Sequence, residues 1–553
     1  MLTKVTYSMI AGATVNALDY GAIGDGVADD AAAIQDAIDS LPNGGTVFFP
    51  TGTYKCLSGL TIANDKTVLS FAGGAALSYT TATQTLLTFS GDNCSLVGAT
   101  INAPAVFDGT NSPITYSVVK IEGENLTAEN CVFNNVPRVG IWFKESGNGI
   151  VTGCRIDGGT SDTFYTGSNT VHFGIAIDPP STGSQGVYAI TSNIIKRCVQ
   201  GAGSGNTGSA SYEQGVTVSG NVFELCWNHG WYSSGLANGS TISANSFVGC
   251  QIPIAATGWD HVITGNSLTV QTTGTGVVTD NELTGISLRD PVRCVVTGNV
   301  IKGEGVDGGV VIGFDDNPGV PGADKVTENI CSNNVIQITN SSVAGVVAIR
   351  FLGNATAVSN NIIANNTITA PVRNLDGLIN VQGAPGSKNN IISGNVISMT
   401  RVQASDFVRV ADLSYTKIEN NNFELAADAA APTSINGISL IRCSYTAVNN
   451  NFFICTAQWG ANTNYRVLQE ITAATLNSAA NNRIHFDTTK LAGSALFLAL
   501  STGPFLLNHA GTGTPEGSVI AGVGSVWQRT DGGAGTSVYI KESGNSNTGW
   551  VGK

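Results

Sequence analysis

The sequence predicts an all-β solenoid, in which short strands wind into stacked coils. One observation is a repeat: VTVSGNVFELC is followed by STISANSFVGC, with Asn221 and Asn245 in the same phase. A repeat of about 24 residues is typical of solenoids, whose units stack on their neighbours. Composition is the second observation. The 68 glycines, the 12% of charged residues and the many Val, Ile, Thr and Asn residues favour short strands and tight turns.

Charge and hydropathy exclude several classes of protein. The net charge of −13 argues against binding of nucleic acid through its phosphates. We find no apolar run of about 18 residues, so we expect no membrane insertion, and the first residues lack the apolar core of a secretory signal. The 11 cysteines include no CxxC pair, so we expect buried free thiols rather than a disulfide ladder, with no metal site and no cofactor.

The N-terminal residues predict a short arm, residues 1–14, and a cap, residues 15–55. In the cap a glycine-rich loop precedes a helix, whose apolar stripe is Ile34, Ile38 and Leu41. Pro42 ends this helix, and the strand Thr46–Phe49 follows. A strand–helix–strand of this kind can cover the open end of a β-solenoid.

The cap also carries a family resemblance. The stretch LDYGAIGDGVADDAAAIQDAID, followed by GGTVFFPTGTY, resembles the start of the pectate-lyase-like right-handed parallel β-helix, in particular that of bacteriophage tailspikes and polysaccharide depolymerases. The resemblance implies a homotrimer that binds, and usually cleaves, bacterial surface polysaccharide. It implies a virion protein that is made in the bacterial cytoplasm, joins a phage tail or baseplate adaptor through its N-terminus, and acts outside the cell at the host surface. In such a cap Asp25, Asp29 and Asp30 are expected to be structural.

Residues 56–500 predict the β-helix body with its glycan-binding groove. Recurring asparagines mark the corners between strands, because Asn tolerates the left-handed conformation and can hydrogen-bond from coil to coil. A second recurring strand, such as FGIAID or HGWYSS, carries charged residues that stacking places in rows along one surface. Residues 501–553 predict a small β segment with a hairpin, which serves trimer closure or forms a sugar-binding tip.

Aromatic and acidic residues concentrate around residues 142–290, which also contain irregular insertions. Glycoside hydrolysis needs two carboxyl groups, and sugar rings pack on aromatic faces. We therefore expect the catalytic residues among Asp178, Glu213, Glu224, Asp260, Glu282 and Asp290. We expect the substrate-binding residues to be Trp142, Tyr212, Trp227, His229, Trp231, Tyr232, Trp259 and His261.

The sequence leaves alternatives open. Asp315 and Asp316, with Asp307 nearby, form a reserve site. A polysaccharide lyase would need a base and a cation, for which His229 with Tyr232, or His172 with Arg289, could serve. A tail fibre that binds glycan without cutting it, and a purely structural virion protein, are the non-enzymatic alternatives.

Overall fold

The computed structural model describes most of the chain, in segments separated by gaps. The described residues are 12–104, 114–159, 172–178, 186–204, 215–233, 238–271, 285–304, 309–316, 325–339, 346–354, 356–372, 377–402, 404–425, 434–455, 464–471, 477–486, 496–499, 506–517, 519, 521–544 and 546–553. The chain divides into two compact units, and the division falls at residues 258–279. We call them the first and the second unit. No helix in the described segments is long and apolar enough to cross a membrane.

In the first unit the described coils contribute short strands to three parallel sheets. Those of the first sheet are Ala13–Asn16, Gly45–Phe49, Thr67–Phe71, Ser95–Val97, Leu126–Glu129, Asn148–Thr152, Val187–Thr191, Val216–Ser219, Thr241–Ser243 and Val262–Thr264. Those of the second sheet are Asp25–Asp29, Gly52–Lys55, Ala75–Ser78, Thr100–Asn102, Val132–Asn134, Arg155–Asp157, Ile194–Lys196, Val222–Glu224 and Ser246–Cys250. Those of the third sheet are Leu60–Ile62, Leu87–Phe89, Val119–Ile121, Val139–Lys144, Phe173–Asp178, Gln200–Ser204 and His229–Ser233. The division between the units falls within the next two strands, Ile252–Trp259 and Ser267–Gln271.

The second unit repeats this three-sheet plan. Its first-sheet strands are Val295–Thr297, Ile330–Ser332, Ile362–Ala364, Ile391–Ser393, Lys417–Glu419 and Ala447–Asn449; Ser478–Phe486 continues into the second sheet, and Leu506–Gly511 follows it. Its second-sheet strands are Val300–Glu304, Val335–Ile338, Thr367–Val372, Val396–Val402, Asn422–Leu425 and Phe452–Cys455. Its third-sheet strands are Ile286–Val292, Gly309–Asp315, Val346–Leu352, Ile379–Gln382, Ala404–Ala411, Ser434–Ile441, Asn464–Ile471 and Leu496–Ala499, with the short strands Val326–Thr327 and Val358–Ser359 beside them.

These strands confirm the predicted all-β architecture. Each strand pairs in parallel with its equivalent one coil later; Thr217, for example, lies opposite Thr241, and Phe223 opposite Phe247. Side chains alternate between the interior and solvent: along Thr241–Ser243 the central residue, Ile242, is buried and its two neighbours are half-buried. The architecture is a parallel β-helix and is consistent with the right-handed coil that the sequence predicts.

The cap contains a 3-10 turn, Ala17–Tyr20, and the α-helix Ala31–Asp39 at the predicted place. Its acidic residues bond to the main chain. The Asp30 carboxylate accepts from the N–H groups of Ile23 at 2.6 Å and Lys55 at 3.2 Å, and Asp29 accepts from Ala31 at 3.2 Å. These contacts give the two carboxylates a structural role in the cap, as expected.

The C-terminal residues form the predicted hairpin. Val526–Arg529 and Val538–Lys541 pair antiparallel, and a third strand, Trp550–Gly552, joins the second. Val526–Arg529 also pairs in parallel with Leu506–Gly511, so this segment continues a sheet of the second unit. A two-stranded hairpin alone is marginally stable in water, and the added strands supply the support that it lacks.

The interior contains stacked apolar side chains and thiols. Phe223 stacks on Phe247 with 4.8 Å between ring centroids. The ten cysteines whose side chains are described are free and buried, in agreement with the expectation from the sequence. Cys198 shows the chemical consequence, because burial raises the pKa of its thiol above the ordinary value.

Candidate functional site

The candidate site lies on the outward face of the third sheet in the first unit. Strand register places one residue from each successive coil in a column on this face. The column is Lys120, Trp142, Ala176, Gly203, Tyr232 and Ala255. Adjacent coils are about 4.8 Å apart, so the main chains at Trp142 and Tyr232, three coils apart, are about 14 Å from each other. Only the small residues Ala176 and Gly203 lie between them in the column.

Trp142 and Asp178 are joined by a short hydrogen bond. The indole Nε1 donates to Asp178 Oδ2 at 2.7 Å. Trp142 is 5% exposed and Asp178 3% exposed, because Trp142 packs in an apolar cluster on this outward face. The other members of the cluster are Ile114, Val139, Phe173 and Ala176. The structure thus brings together one predicted substrate-binding residue and one predicted catalytic residue.

Two further charged residues lie beside this pair. Glu122 directly follows Ile121, which pairs with Phe143, so Glu122, Lys144 and Asp178 occupy corresponding positions on three successive coils. Lys144 Nζ lies 3.5 Å from Glu122 Oε1 and 5.7 Å from the centre of the Trp142 ring. The carboxyl-bearing residues Glu122 and Asp178 are two coils, or about 10 Å, apart.

Electrostatics keep Glu122 ionised. Burial would raise the pKa of Glu122, but the ammonium groups of Lys120, at 3.1 Å, and Lys144 outweigh burial, so this pKa lies below its ordinary value. Sequence reasoning overlooked both Glu122 and Lys144. The sequence does contain a signal for these two residues. Glu122 in KIEG and Lys144 in WFKES stand at the end of a strand, at the position that Asp178 has in FGIAID.

His229 and Tyr232 also meet on this face. Their ring centroids are 4.6 Å apart, and both side chains are half-buried. His229 lies opposite Gln200, and Tyr232 opposite Gly203. The third sheet therefore presents an imidazole and a phenol two coils beyond the coil of Asp178.

Several predicted binding residues lie inside the protein instead. Trp231 is 0% exposed and pairs with Ala202 and Ile254, so its side chain belongs to the core, and Trp227 is buried as well. His261 is fully buried, with its Nε2 3.1 Å from the carbonyl oxygen of Thr257. Trp231 and His261 are fully enclosed and offer no surface to a sugar, which corrects the expectation from composition.

His172, one of the bases considered for a lyase, is also internal. It is fully buried; its Nδ1 accepts from the N–H of Val199 at 3.1 Å, and its Nε2 lies 2.9 Å from the carbonyl oxygen of Val136. Burial lowers the pKa of His172 to about 4. Its ring is therefore neutral at pH 7, and its contacts with Val136 and Val199 connect neighbouring coils.

The remaining predicted catalysts lie elsewhere on the fold. Glu224 ends a strand of the second sheet, where it pairs with Lys196, so it does not share a face with Asp178. Asp260 lies at an exposed corner and accepts two hydrogen bonds from Arg293, at 2.8 and 3.0 Å. Asp290 is fully buried, and Trp259 is half-buried at the end of its strand. Glu213, Tyr212, Glu282 and Asp307 lie outside the described residues.

The reserve site belongs to the second unit. Asp315 accepts from Arg350 through two hydrogen bonds, at 2.9 and 2.7 Å. Burial raises the pKa of Asp315 above its ordinary value, against the opposing effect of Arg350. Asp316 is turned away from this pair, towards the main-chain N–H of Asn354 at 2.8 Å and the hydroxyl of Thr356 at 3.2 Å. Within the segments that the structure describes, no cluster of His, Cys, Asp and Glu could hold a metal ion.

Short segments of the chain match curated proteins. One segment of 39 residues is 62% identical to plasmin and fibronectin-binding protein A of Streptococcus pneumoniae and covers 6% of this chain and 5% of that protein. Another, of 46 residues, is 54% identical to mannuronan C5-epimerase AlgE5 of Azotobacter vinelandii and covers 8% of this chain and 5% of the epimerase. The chain thus spans only a small fraction of these relatives.

Longer similarities concern the fold and the family. A tailspike protein of E. coli bacteriophage HK620, solved in complex with a pentasaccharide, superimposes with a TM-score of 0.49 at 13% identity, over 98% of this chain and 90% of that chain. Residues 14–294 match the family described as rhamnogalacturonase A/epimerase, pectate lyase-like. Because this match extends over just over half of the 553 residues, the chain belongs to that family.

Proposed function

We propose that the protein recognises and cleaves bacterial surface polysaccharide, capsule or O-antigen, by glycoside hydrolysis on the third sheet of the first unit. Membership of the rhamnogalacturonase A/epimerase, pectate lyase-like family supports action on a polysaccharide. The observation that carries the proposal is the column of Glu122, Lys144 and Asp178, with Trp142 bonded to Asp178 at 2.7 Å.

The two carboxyl groups receive different roles from their surroundings. Asp178 lies buried beside the indole of Trp142 and is assigned as the acid that protonates the leaving oxygen. Glu122 is more exposed, and two ammonium groups keep it ionised, so it is assigned as the base that activates water. A separation of about 10 Å between their coils is closer to the spacing of inverting than of retaining glycosidases.

The test is cleavage of purified surface polysaccharide from candidate hosts, measured as new reducing ends. Asp178→Asn and Glu122→Gln should each lower the rate at least ~100-fold, because general acid and base groups contribute on that order. Asp412→Asn is the matched control. Asp412 is likewise a carboxylate held by a nitrogen donor, Arg442 Nε at 2.6 Å, but it lies in the second unit. Thermal melts confirm that each variant is folded.

Each outcome has a defined meaning. Full activity in both Asp178→Asn and Glu122→Gln would refute the assignment of this site. A wild-type protein that binds the polysaccharide tightly and yields no new reducing ends would be a glycan-binding tail fibre rather than an enzyme.

Lyase chemistry is the second candidate, and the contact between His229 and Tyr232 favours it. An imidazole and a phenol with 4.6 Å between ring centroids can remove and deliver a proton, and a nearby cation neutralises the uronate carboxylate in such a reaction. The unsaturated product absorbs in the ultraviolet and is distinguished from the hydrolysis product in the same digest. Tyr232→Phe should abolish that absorbance if elimination occurs.

A phage role and trimeric assembly complete the proposal. They are supported by the resemblance of residues 15–55 to the tailspike cap and by the β-helix of both units. In this role the N-terminus joins a tail or baseplate adaptor and residues 501–553 close the trimer. Sedimentation velocity of the full chain tests the assembly: a trimer of a 56.8 kDa chain is expected, and a monomer at micromolar concentration would reject it.

A further inference from the structure

Two tyrosine rings are stacked at an exposed corner of the second unit. Tyr415 and Tyr445 lie on successive coils, between the third sheet and the first, and their rings are nearly parallel with 4.8 Å between centroids. Tyr415 is 54% exposed and Tyr445 45% exposed. Parallel rings in contact are about 3.5 Å apart, so these two are offset by about 3 Å, and part of each ring face is open to a ligand.

Both tyrosines adopt a backbone conformation that bulky residues rarely take. Each has φ 53°, in the left-handed region, which disfavours a large side chain. The two preceding coils place Asn360 and Asn389 at this corner, with φ 58° and 60°, and asparagine tolerates that conformation. Tyrosine therefore costs stability here relative to the asparagine of the preceding coils.

The residues that follow the tyrosines show a second cost. Asn361, which follows Asn360, donates from its amide to Asn390 Oδ1 at 3.0 Å inside the corner. The next two coils place Thr416 and Thr446 at this position; both are buried, and within the described segments their hydroxyls have no hydrogen-bond partner. These coils give up a favourable backbone and a buried hydrogen bond where they expose two rings. This combination points to a role for the rings at the surface rather than in the fold.

The corner offers the chemical groups that bind sugars. Asn360, Asn389, Tyr415 and Tyr445 form a column of four uncharged residues over three coil spacings, or about 14 Å. Asn389 Nδ2 donates to Asn360 Oδ1 at 3.3 Å, and the other polar groups of these exposed amides can bond to hydroxyls. The apolar C–H faces of pyranose rings pack on aromatic faces. The column therefore fits an uncharged saccharide.

A protein partner fits this corner less well. Lys388, on the coil before Tyr415, and Lys417, two residues after it, are both exposed near the rings. Charged side chains are depleted from the core of a protein interface, whereas ligand sites combine aromatic faces with a few polar groups. The described surroundings of the pair favour a saccharide over a second protein surface.

We propose that this corner is a second saccharide-binding site, which takes an uncharged stretch of polysaccharide. Pyranose rings pack on Tyr415 and Tyr445, and the amides of Asn389 and Asn360 bond to hydroxyls of the next sugar. The ligand is the same surface polysaccharide that the first unit cleaves, and in this respect the site rests on the proposed function. The corner binds the polysaccharide and does not cleave it.

The test is calorimetric binding of short fragments of surface polysaccharides from the candidate hosts, with Glu122→Gln in every protein so that the fragments stay intact. This parent protein should bind two fragments per chain, one on the first unit and one at the corner. Tyr415→Asn and Tyr445→Asn restore the residue type of the preceding coils. Each should weaken binding at the corner ~10-fold, because a lost ring contact is of that order. Neither should lower the midpoint of thermal unfolding, a result that a merely structural role of the rings would not give.

Phe452→Ala is the matched control, because Phe452 is an aromatic residue with 37% exposure on the second sheet of the same unit. It should bind as the parent does. Tyr232→Ala should remove only the binding of the first unit. If Tyr232→Ala alone loses binding, the corner site is wrong and the proposed function stands. If the corner variants alone lose binding and the wild type yields no new reducing ends, hydrolysis is wrong and the corner site stands.

Two other results would overturn the corner site. One is the absence of binding to every fragment tested. The other is a smaller assembly of Tyr415→Asn or Tyr445→Asn in sedimentation velocity with fragment binding intact, which would make the pair a contact between copies of the chain.

Discussion

The side-chain oxygen of Asn245 accepts two hydrogen bonds from Asn221, which lies one coil earlier: from its main-chain N–H at 2.9 Å and from its amide nitrogen at 3.0 Å. Asn245 in turn donates to the oxygen of Asn266 at 3.0 Å. The same pattern recurs in the second unit from Asn299 to Asn334. A buried amide ladder therefore runs along the interior of each unit and fixes the register of its coils.

Breaking this ladder should destabilise the first unit strongly. Asn245→Ala removes the acceptor of two hydrogen bonds from Asn221. The buried main-chain N–H of Asn221 loses its partner, and its amide keeps only the bond to the carbonyl oxygen of Ile190 at 2.8 Å, so we expect a loss of ~3 kcal/mol in unfolding free energy. Denaturant unfolding measures it. Ser243→Ala, which removes a hydroxyl pair at 3.1 Å on the half-buried outer side of the preceding strand, should cost less than ~1 kcal/mol. Equal losses would contradict the ladder's structural importance.

The ladder also shows what the sequence could and could not predict. The sequence predicted the recurring asparagines, their period and their hydrogen bonds from coil to coil. It did not predict which residue adopts the left-handed conformation. That residue is the one before the ladder position, as at Ala244 with φ 54° and Gly265 with φ 65°. The spacing alone also does not decide between adjacent asparagines: Asn421 donates to the side-chain oxygen of Asn451, whereas Asn422 begins a strand.

The pH dependence of stability should be traceable to His172. Its pKa falls from an ordinary 6.5 to about 4 on folding, because burial disfavours the charged ring. The unfolded chain therefore binds the additional proton between these values. The stabilisation is complete above pH 6.5 and is lost as the pH falls towards 4, by up to ~3 kcal/mol.

The variant His172→Gln provides the comparison, with unfolding free energy measured from pH 7.5 to pH 4.5. It should be less stable than the wild type at pH 7.5, since it alters the contacts with Val136 and Val199. Its stability should also decline less between pH 6.5 and pH 4.5. Parallel curves for the two proteins would show that His172 is not the group responsible.

Side-chain direction in the third sheet was the main feature that the sequence concealed. Val139 and His229 belong to one column of the third sheet, and each is followed by a glycine, Gly140 or Gly230. Trp142 comes two residues after Gly140, whereas Trp231 comes one residue after Gly230. Trp142 therefore faces outward and Trp231 inward. At Gly230 a Cβ atom would lie 2.4 Å from the ring of Phe247, so the interior has no room there for a side chain. Composition groups both tryptophans together; only register separates them.

Neighbouring residues on opposite faces should therefore respond differently to truncation. Trp231→Ala empties a fully buried site and should cost ~3–5 kcal/mol in unfolding free energy. Tyr232→Ala should cost far less, because Tyr232 is half-buried on the outer face, but it should weaken glycan binding. Denaturant unfolding and glycan titration of both variants check this. A large stability loss in Tyr232→Ala together with intact glycan binding would argue against the outward site.

The C-terminal hairpin should depend on one buried ammonium group. Lys541 is 0% exposed, donates to the carbonyl oxygens of Ser546, at 2.8 Å, and Thr548, and lies 5.9 Å from the centre of the Trp550 ring. Its charge is satisfied by the loop that precedes the last strand, so Lys541→Met should leave these carbonyls unpaired and release Trp550. Tryptophan fluorescence and limited proteolysis should then report an opened C-terminus, with the β-helix intact. Lys553→Met, which removes an exposed pair with Glu542 at 2.7 Å, should change neither signal, because exposed ion pairs contribute little to stability.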